Sequence, residues 1–314
     1  MELREWGASS LCYGANGNRM KIAIQGEPGA FSHGAALKFD PNAEIVPCSL
    51  SVDVFAALKS GRAGAAAIPI ENSLAGSVLE HFDLLLAHDV RVVRETLLRI
   101  RHNLIAIPGT KMNEIDRVYS HPVALAQCLQ FFAAHPATKP VGSYDTAGSV
   151  KQIMAEGDRR AAAIASESAA QIYGAEILAA GIEDNSENYT RFFLVRRSPD
   201  AEIDAEIDPA ANKISIAFAV ENRPGSLVAA LSALAAQGTN LTKIESRPVQ
   251  GKPWEYVFYV DCQIAGSDAG SDARSRAGVN GEAARILDAL RPHCGMVKEL
   301  GRYREARSVE NPAP

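Results

Sequence analysis

Thr190 and Arg191 open an apolar run that continues through Phe192 to Val195. The run has the composition of a buried strand, yet it begins with a hydroxyl and with a guanidinium that keeps its charge. A guanidinium can hold a carboxylate through two parallel hydrogen bonds, and a neighbouring hydroxyl can donate to another oxygen. The pair therefore either ends a strand at the surface or lines a cavity that holds an anion.

Four further segments place polar residues where a strand is expected to end and a helix to begin. They are 26–32 (GEPGAFS), 69–76 (PIENSLAG), 120–122 (SHP) and 145–149 (DTAGS). Helix starts attract anions, but the same residues also cap helices and fill tight turns, so both interpretations stay open. His121, beside Pro122, is interpreted as structural rather than as a general base. No Ser-His-Asp, Cys-His or paired-carboxylate arrangement stands out by spacing, and a small anion with several oxygens fits better than a nucleotide.

Alternating strand and helix patterns must position these residues. Between Met20 and Arg197 this alternation predicts an α/β fold with a largely parallel sheet and a ligand cleft between two lobes. Strands are expected at 21–25, 43–46, 65–70, 91–93, 103–107, 117–119, 161–165 and 191–195. Helices are expected after 26–32 and at 52–59, 78–87, 123–133, 147–155 and 167–178.

The remainder of the chain has a different pattern. An acidic stretch, 199–212, is the best linker candidate. Beyond it, strands and helices follow in the order βαββαβ, which is the ferredoxin-like pattern, with a polar loop at 265–281. The expected divisions are an extension (1–19), a first region (20–198), the linker, a second region (213–304) and a tail (305–314).

Bulk properties narrow the class of protein. The composition is 47% hydrophobic and 22% charged, and the net charge of −5 argues against a nucleic-acid or anionic-membrane partner. Five cysteines without CxxC spacing predict neither a disulfide framework nor a zinc site. The first 19 residues have no continuous apolar stretch typical of a secretory signal, so a cytoplasmic location is expected.

Taken together, seven segments resemble the prephenate dehydratase family in their order and spacing. They are GEPGAFSHGAAL (26–37), AAIPIENSLAGSVLEHFDLL (66–85), SHPVALAQC (120–128), YDTAGSVK (144–151), AAIASESAAQIYG (162–174), ENYTRF (187–192) and LTKIESRP (241–248). The resemblance implies two α/β lobes like a periplasmic binding protein, followed by a C-terminal ACT domain. It also implies conversion of prephenate to phenylpyruvate with loss of carbon dioxide and water, without cofactor or metal.

The same resemblance implies roles for individual residues. Thr190 would donate to the departing oxygen, Arg191 would orient a substrate carboxylate, and Phe192 would form part of an apolar wall. Further contacts to substrate oxygens would come from Asn72, Ser73, Ser120, Gln127, Thr146 and Ser149. Ala30 stands where the family often has threonine or serine, so no polar role is expected there.

In the second region the resemblance implies an allosteric L-phenylalanine site between ACT domains of paired subunits, and hence a homodimer or homotetramer. Its residues would be Asn222, Pro224, Gly225, Ser226, Leu227, Val228, Glu245, Ser246, Arg247 and Pro248. Ser226 replaces the alanine of the family's GALV-type motif. Two alternatives stay open: an arogenate dehydratase with the same chemistry, and a non-catalytic amino-acid sensor, which the Thr190-Arg191-Phe192 motif disfavours.

Overall fold

The computed structural model describes residues 19–198, 208–249, 251, 254–264 and 276–306. The expected N-terminal extension up to residue 18, most of the linker and of the 265–281 loop, and the tail beyond 306 lie outside these ranges. Within them, no helix is both long enough and apolar enough to cross a membrane.

The described chain forms fifteen strands and nine α-helices. The strands are β1 (Lys21–Gln25), β2 (Glu44–Cys48), β3 (Ala65–Asn72), β4 (Gly76–Ser77), β5 (Val90–Arg99), β6 (Asn103–Ala106), β7 (Arg117–Ser120), β8 (Lys139–Gly142), β9 (Ala161–Ala165), β10 (Glu176–Ala180), β11 (Tyr189–Arg197), β12 (Lys213–Ala219), β13 (Asn240–Pro248), β14 (Tyr256–Gln263) and β15 (Met296–Tyr303). The helices are α1 (Phe31–Phe39), α2 (Ser51–Lys59), α3 (Leu79–Ala87), α4 (Pro122–Ala126), α5 (Leu129–Ala134), α6 (Thr146–Glu156), α7 (Glu167–Tyr173), α8 (Ser226–Ala236) and α9 (Arg276–Leu290).

Two sheets organise these elements, and both are mixed. A ten-stranded sheet has the order β13-β14-β12-β15-β5-β11-β3-β1-β2, with β4 paired to β3, and a five-stranded sheet has the order β10-β6-β9-β7-β8. The α/β class is confirmed, but the expectation of a largely parallel sheet is wrong. The chain returns from the second lobe through β11, which runs antiparallel to both β3 and β5.

Two expected helices differ from the structure for local reasons. The helix expected at 123–133 divides into α4 and α5, because the Asp184 carboxylate accepts hydrogen bonds from the N–H groups of Leu129 and Gln130 and so starts a new helix. The helix expected at 167–178 ends at Tyr173, where Gly174 adopts a left-handed conformation (φ 66°). The chain then continues as β10, a strand that the periodicity does not predict.

Two lobes make up residues 19–198. The first lobe holds β1–β5 and β11, and the second holds β6–β10. The chain crosses between them at 100–102 and again at 181–188. The two crossings are hydrogen-bonded to each other, with Ile100 N donating to Asn188 O (2.7 Å) and Ile182 N donating to His102 O (2.9 Å).

The C-terminal region has the predicted βαββαβ order, β12-α8-β13-β14-α9-β15. Its core packs Ile214, Ile216 and Phe218 of β12 against Leu234 and Ile286 of the two helices. Its sheet joins that of the first lobe where Gly301 in β15 lies beside Val92 in β5. A Cβ atom at Gly301 would lie 2.1 Å from the Val92 carbonyl oxygen, so only glycine permits this approach.

Candidate active site and its interface with the C-terminal domain

Strand β11 presents two chemically different faces. In its antiparallel pairing with β3, Thr190 lies opposite Asn72 and Arg191 lies opposite Glu71. Successive side chains of a strand point to opposite faces. Phe192, on the Thr190 side, packs in the core beneath α1, whereas Phe193, on the Arg191 side, packs against the Tyr303 ring of the C-terminal domain.

On the Thr190 side, three side-chain amides form a closed ring of hydrogen bonds. Asn72 Nδ2 donates to Asn188 Oδ1 (2.7 Å), Asn188 Nδ2 donates to Gln127 Oε1 (2.9 Å), and Gln127 Nε2 donates to Asn72 Oδ1 (3.3 Å). Gln127 belongs to the second lobe and Asn72 to the first, so the ring spans the two lobes. We call these three residues the amide ring.

Main-chain groups fix how the Asn72 amide is oriented. Its Oδ1 accepts from the N–H groups of Leu74 (3.0 Å) and Ala75 (2.8 Å), and its Nδ2 faces the Tyr189 carbonyl (3.2 Å). Nδ2 must therefore be the donor in its 2.9 Å hydrogen bond to Thr190 Oγ1. Because Thr190 Oγ1 is an acceptor in that bond, its own proton stays available for another acceptor.

His102 extends the amide ring into the first crossing between the lobes. Its Nε2 lies 2.9 Å from Gln127 Oε1, and its ring packs edge-on against Phe31. The side chain is 2% exposed. Burial lowers the pKa of His102, and the opposing effects of Gln127 and Glu183 are smaller. A neutral imidazole is therefore favoured at this position.

Arg191 lies on the other face of β11, where carboxylates of the protein itself hold it. Its Nε donates to Glu95 (2.7 Å), its Nη1 to Asp261 (2.6 Å) and its Nη2 to the Tyr303 hydroxyl (2.9 Å). Burial alone would lower the pKa of Arg191, but the surrounding acidic groups raise it above the ordinary value. In this structure the guanidinium joins the first lobe to the C-terminal domain, and the predicted role of Arg191 in orienting a substrate carboxylate stays a prediction.

A second charged contact lies beside Arg191 at the same interface. Lys243 of β13 donates to Glu71 (2.8 Å) and to Ser77 Oγ (2.8 Å). Glu71 directly precedes Asn72 in β3. One residue of β3 therefore contacts the C-terminal domain while the next one belongs to the amide ring.

The remaining predicted substrate ligands are held by main-chain groups. Ser73 Oγ donates to Glu187 O (3.0 Å) in the second crossing. Ser120 and Ser149 are both fully buried, and their hydroxyls donate to Ile164 O (2.6 Å) and Asp145 O (2.7 Å). Thr146, 9% exposed, begins α6, for which Asp145 is the N-cap. The hydroxyl protons of Ser73, Ser120 and Ser149 thus serve the fold, and the substrate roles of all four residues stay predictions.

The turn at 26–32, for which both an anion site and a tight turn were considered, packs against the second lobe. Gly29 lies so close to Ala169 that a Cβ atom would be 2.7 Å from its Cα, and Ser166 Oγ donates to Gly29 O (2.6 Å). Glu27 N donates to the Asp145 carboxylate (3.3 Å). Ala30 is buried among apolar residues of the second lobe. In this structure the segment packs the first lobe against the second.

The predicted effector residues divide into two groups. Alternate residues of β13 face the catalytic region: Glu245 accepts from Ser77 Oγ (2.7 Å), and Arg247 pairs with Asp83. Ser246, which lies between these two residues, and Pro248, which follows them, are exposed. Asn222, Pro224 and Gly225 are exposed before α8, and Val228 is exposed in its first turn. Within the described residues, the buried Ser226 Oγ atom has no hydrogen-bond partner.

Comparison with known proteins places this architecture in a family. Residues 22–200 match the family described as prephenate dehydratase, and residues 214–269 match the ACT domain. The chain belongs to the prephenate dehydratase family. These enzymes are hydro-lyases, here with a C-terminal ACT domain of ferredoxin-like form.

Among its relatives, the chain is 41% identical over 266 residues to arogenate dehydratase/prephenate dehydratase 2, chloroplastic, from Arabidopsis thaliana. The match covers 81% of this chain and 68% of that one. The structure of a prephenate dehydratase in complex with L-Phe from Arthrobacter aurescens is 30% identical with a TM-score of 0.77, covering 94% of this chain and 92% of that one. A structure described as GqqA, a novel type of quorum quenching acylases, is 32% identical with a TM-score of 0.77, covering 93% and 100%.

Proposed function

We propose that this chain converts prephenate to phenylpyruvate in phenylalanine biosynthesis, with Thr190 as the hydrogen-bond donor to the departing hydroxyl. The observation that carries the proposal is the orientation of Asn72, which makes Thr190 Oγ1 an acceptor and leaves its proton available. Membership of the prephenate dehydratase family supports the same substrate class.

The reaction needs positioning and one donor. The bond between the ring and its carboxylate breaks and releases carbon dioxide, and its electron pair enters the ring as the para C–O bond breaks. The departing hydroxide takes up a proton from the solvent and leaves as water. Aromatisation drives the reaction, so a preorganised hydrogen bond at the leaving oxygen is the main requirement. Thr190 is too weak an acid to lose its proton freely, and it acts through the hydrogen bond.

Two variants of Thr190 test this role. Thr190→Val keeps the shape and removes the hydroxyl, and we expect kcat to fall about 10²–10³-fold, as when a comparable donor is removed. Thr190→Ser keeps the hydroxyl and should retain much more activity. The measurement is release of phenylpyruvate from prephenate. Equal kcat values for the valine and serine variants would contradict the donor role, and no turnover by the wild-type chain would favour the non-catalytic sensor.

Arogenate is the alternative substrate, because it undergoes the same bond changes with an amino group in place of the side-chain keto group. The relative from Arabidopsis thaliana is named for both activities. Comparing kcat/KM for prephenate and arogenate on the same preparation decides between them. A strong preference for arogenate would replace prephenate as the proposed substrate.

An acylase activity fits the site less well. Acyl transfer by a threonine requires a base that takes the hydroxyl proton. The partner of Thr190 Oγ1 in the described structure is Nδ2 of Asn72, which is itself a donor. The arrangement therefore suits Thr190 as a donor rather than as a nucleophile.

We further propose that L-phenylalanine binds between ACT domains of paired subunits and regulates the enzyme. The relative from Arthrobacter aurescens, described with bound L-Phe, supports this effector. The exposed residues at the start of α8 and the outward-facing Ser246 and Pro248 would contact the ligand. Glu245 and Arg247 would instead transmit its effect, because they contact the catalytic region.

The contact between Lys243 and Glu71 offers a test of this regulation. Lys243→Met should weaken inhibition by phenylalanine several-fold while leaving kcat without effector close to that of the wild type, because coupling and catalysis use different residues. Lys21→Met removes an exposed ion pair with Glu44 in the first lobe and serves as the control. Unchanged inhibition in the Lys243 variant would exclude this contact as a route of coupling.

The cytoplasm stays the proposed location.

A further inference from the structure

His102 is buried at the start of the second lobe and is only half satisfied by hydrogen bonds. Its main chain is held on both sides, with its N–H donating to Glu183 (2.8 Å) and its carbonyl accepting from Ile182. Its Nε2 meets Gln127 Oε1. Its buried Nδ1 atom has no partner among the residues that the structure describes. A buried nitrogen without a partner is unusual, and it indicates that the imidazole is placed for what its other nitrogen does.

The amide ring determines which nitrogen of His102 carries the proton. Asn72 Oδ1 already accepts from two main-chain N–H groups, so the group that Gln127 directs at it must be Nε2, a donor. Gln127 Oε1 then faces both Asn188 Nδ2 and His102 Nε2 and accepts from both. His102 must donate, and its neutral form is therefore the Nε2–H tautomer with a lone pair on Nδ1.

The sense of the amide ring matters for Thr190. With the ring as found, Asn72 donates to Thr190 and Thr190 can donate to substrate. Asn72 is fixed from the first lobe by main-chain groups, whereas the described side-chain partners of Gln127 are Asn72, Asn188 and His102. His102 is the partner that anchors Gln127 from outside the ring. Without it, Gln127 Oε1 keeps one donor, Asn188 Nδ2, instead of two, and a turned Gln127 amide would place Oε1 against Asn72 Oδ1, where two acceptors repel each other.

We propose that His102 is a positioning residue whose Nε2–H donor holds Gln127 and thereby keeps the Thr190 proton directed at the substrate. The inference rests on the proposed dehydratase function. His102 is not among the site residues that the family resemblance implies.

Two variants separate a donor role from a packing role. His102→Leu keeps bulk and removes the donor, and we expect kcat to fall about tenfold or more with KM changed less than about threefold, the effect of one lost buried hydrogen bond. His102→Gln restores a donor near the position of Nε2 and should recover kcat to within about threefold of wild type. A glutamine variant no more active than the leucine variant would overturn the proposal.

A second measurement uses the wild-type protein and does not depend on enzyme activity. Long-range ¹H–¹⁵N correlation spectra of histidine-labelled protein at pH 7.5, assigned with His102→Gln, should show His102 as the Nε2–H tautomer. An Nδ1–H tautomer or an imidazolium would overturn the inference. If the wild type turns over neither prephenate nor arogenate, the proposed function fails, but the tautomer still decides whether His102 directs the amide ring.

Discussion

At the scale of single residues, the direction of a hydrogen bond matters more than the acidity of the group that makes it. A threonine hydroxyl is a poor acid anywhere in a protein, but one that already accepts a hydrogen bond has its proton free for another group. Asn72 achieves this because the N–H groups of Leu74 and Ala75, together with Gln127 Nε2, all donate to its Oδ1 and so favour one orientation of its amide. The proton of Thr190 is thus left available by hydrogen bonds that begin in the turn after the neighbouring strand β3.

A nearly isosteric substitution at Asn188 tests the amide ring. Asn188→Asp would replace the Nδ2 donor by a carboxylate oxygen facing Gln127 Oε1, so two acceptors would meet in a site where Asn188 is 0% exposed. We expect kcat to fall at least tenfold, since a buried hydrogen bond is replaced by a repulsive contact. The measurement is prephenate turnover.

Asn185→Asp is the matched control, because among the described residues the side-chain hydrogen bond of exposed Asn185 is that of its Oδ1, which accepts from Glu187 N (2.9 Å) and which a carboxylate reproduces. Similar kcat values for the two aspartate variants would count against a catalytic part for the amide ring.

At the scale of elements, β3 and β11 each serve two partners. Their paired ends direct Asn72 and Thr190 to the cleft and Glu71 and Arg191 to the C-terminal domain. A strand shifts as a unit more readily than its alternate residues shift separately, since its backbone is paired on both sides. The two strands therefore connect the ACT domain to Thr190 and Asn72 through the adjacent residues Arg191 and Glu71.

Part of this arrangement was predictable and part was not. Alternation along 188–192 places Asn188 on the same face as Thr190, and that period of two was a usable signal for a residue that motif comparison missed. The same alternation places Arg191 on the opposite face of β11, where it contacts Asp261. His102 gave no local signal, because its role depends on a contact with Gln127 that the fold creates. The ACT interface likewise depends on pairs far apart in sequence, such as Arg191 with Asp261.

The buried ion pairs of Arg191 predict a large contribution to the free energy of unfolding. Arg191→Met would leave Glu95 and Asp261 buried without their shared partner, although Glu95 keeps Lys213. Removing one member of a buried ion pair typically lowers the free energy of unfolding by about 3–5 kcal/mol. Denaturant unfolding of the full chain measures the effect.

Arg247→Met is the matched control, because Arg247 and Asp83 form a half-exposed pair across the same interface. Its loss should lower the free energy of unfolding by less than about 1 kcal/mol. If the two methionine variants were equally stable, the buried network around Arg191 would not be the main polar contribution to the interface.

At the scale of the whole molecule, the ACT domain is an extension of the catalytic sheet rather than a separate attachment. The ten-stranded sheet passes from one domain to the other at Gly301, and the core that contains Phe193 also contains Tyr259 and Tyr303 of the C-terminal domain. Shared strands and a shared core predict that the two domains unfold together. A binding event in the ACT domain then acts directly on the catalytic region, because strand pairing and a shared core connect the two domains at this contact.

Buried neutral histidines make the stability of the whole molecule depend on pH. Burial lowers the pKa of His81 and of His102, against smaller opposing effects of Pro69 O and Glu80 on the first and of Gln127 and Glu183 on the second. Their folded-state pKa values lie below the unfolded value of about 6.5, so the unfolded chain binds more protons as pH falls. The stabilisation is therefore complete above about pH 6.5 and is lost as pH falls below it toward the folded-state values.

We expect the melting temperature to be nearly constant from pH 8 to 7 and to fall between pH 6.5 and 5.5. Each kcal/mol lost corresponds to about 2–4 °C for a protein of roughly this size. His102→Gln removes one of the two imidazoles and should make the decrease shallower. His121→Gln, at an exposed position, controls for the loss of a histidine as such. A decrease as steep in His102→Gln as in wild type would mean that His102 binds its proton equally well in the folded and the unfolded chain, and it would contradict the lowered pKa of the buried imidazole.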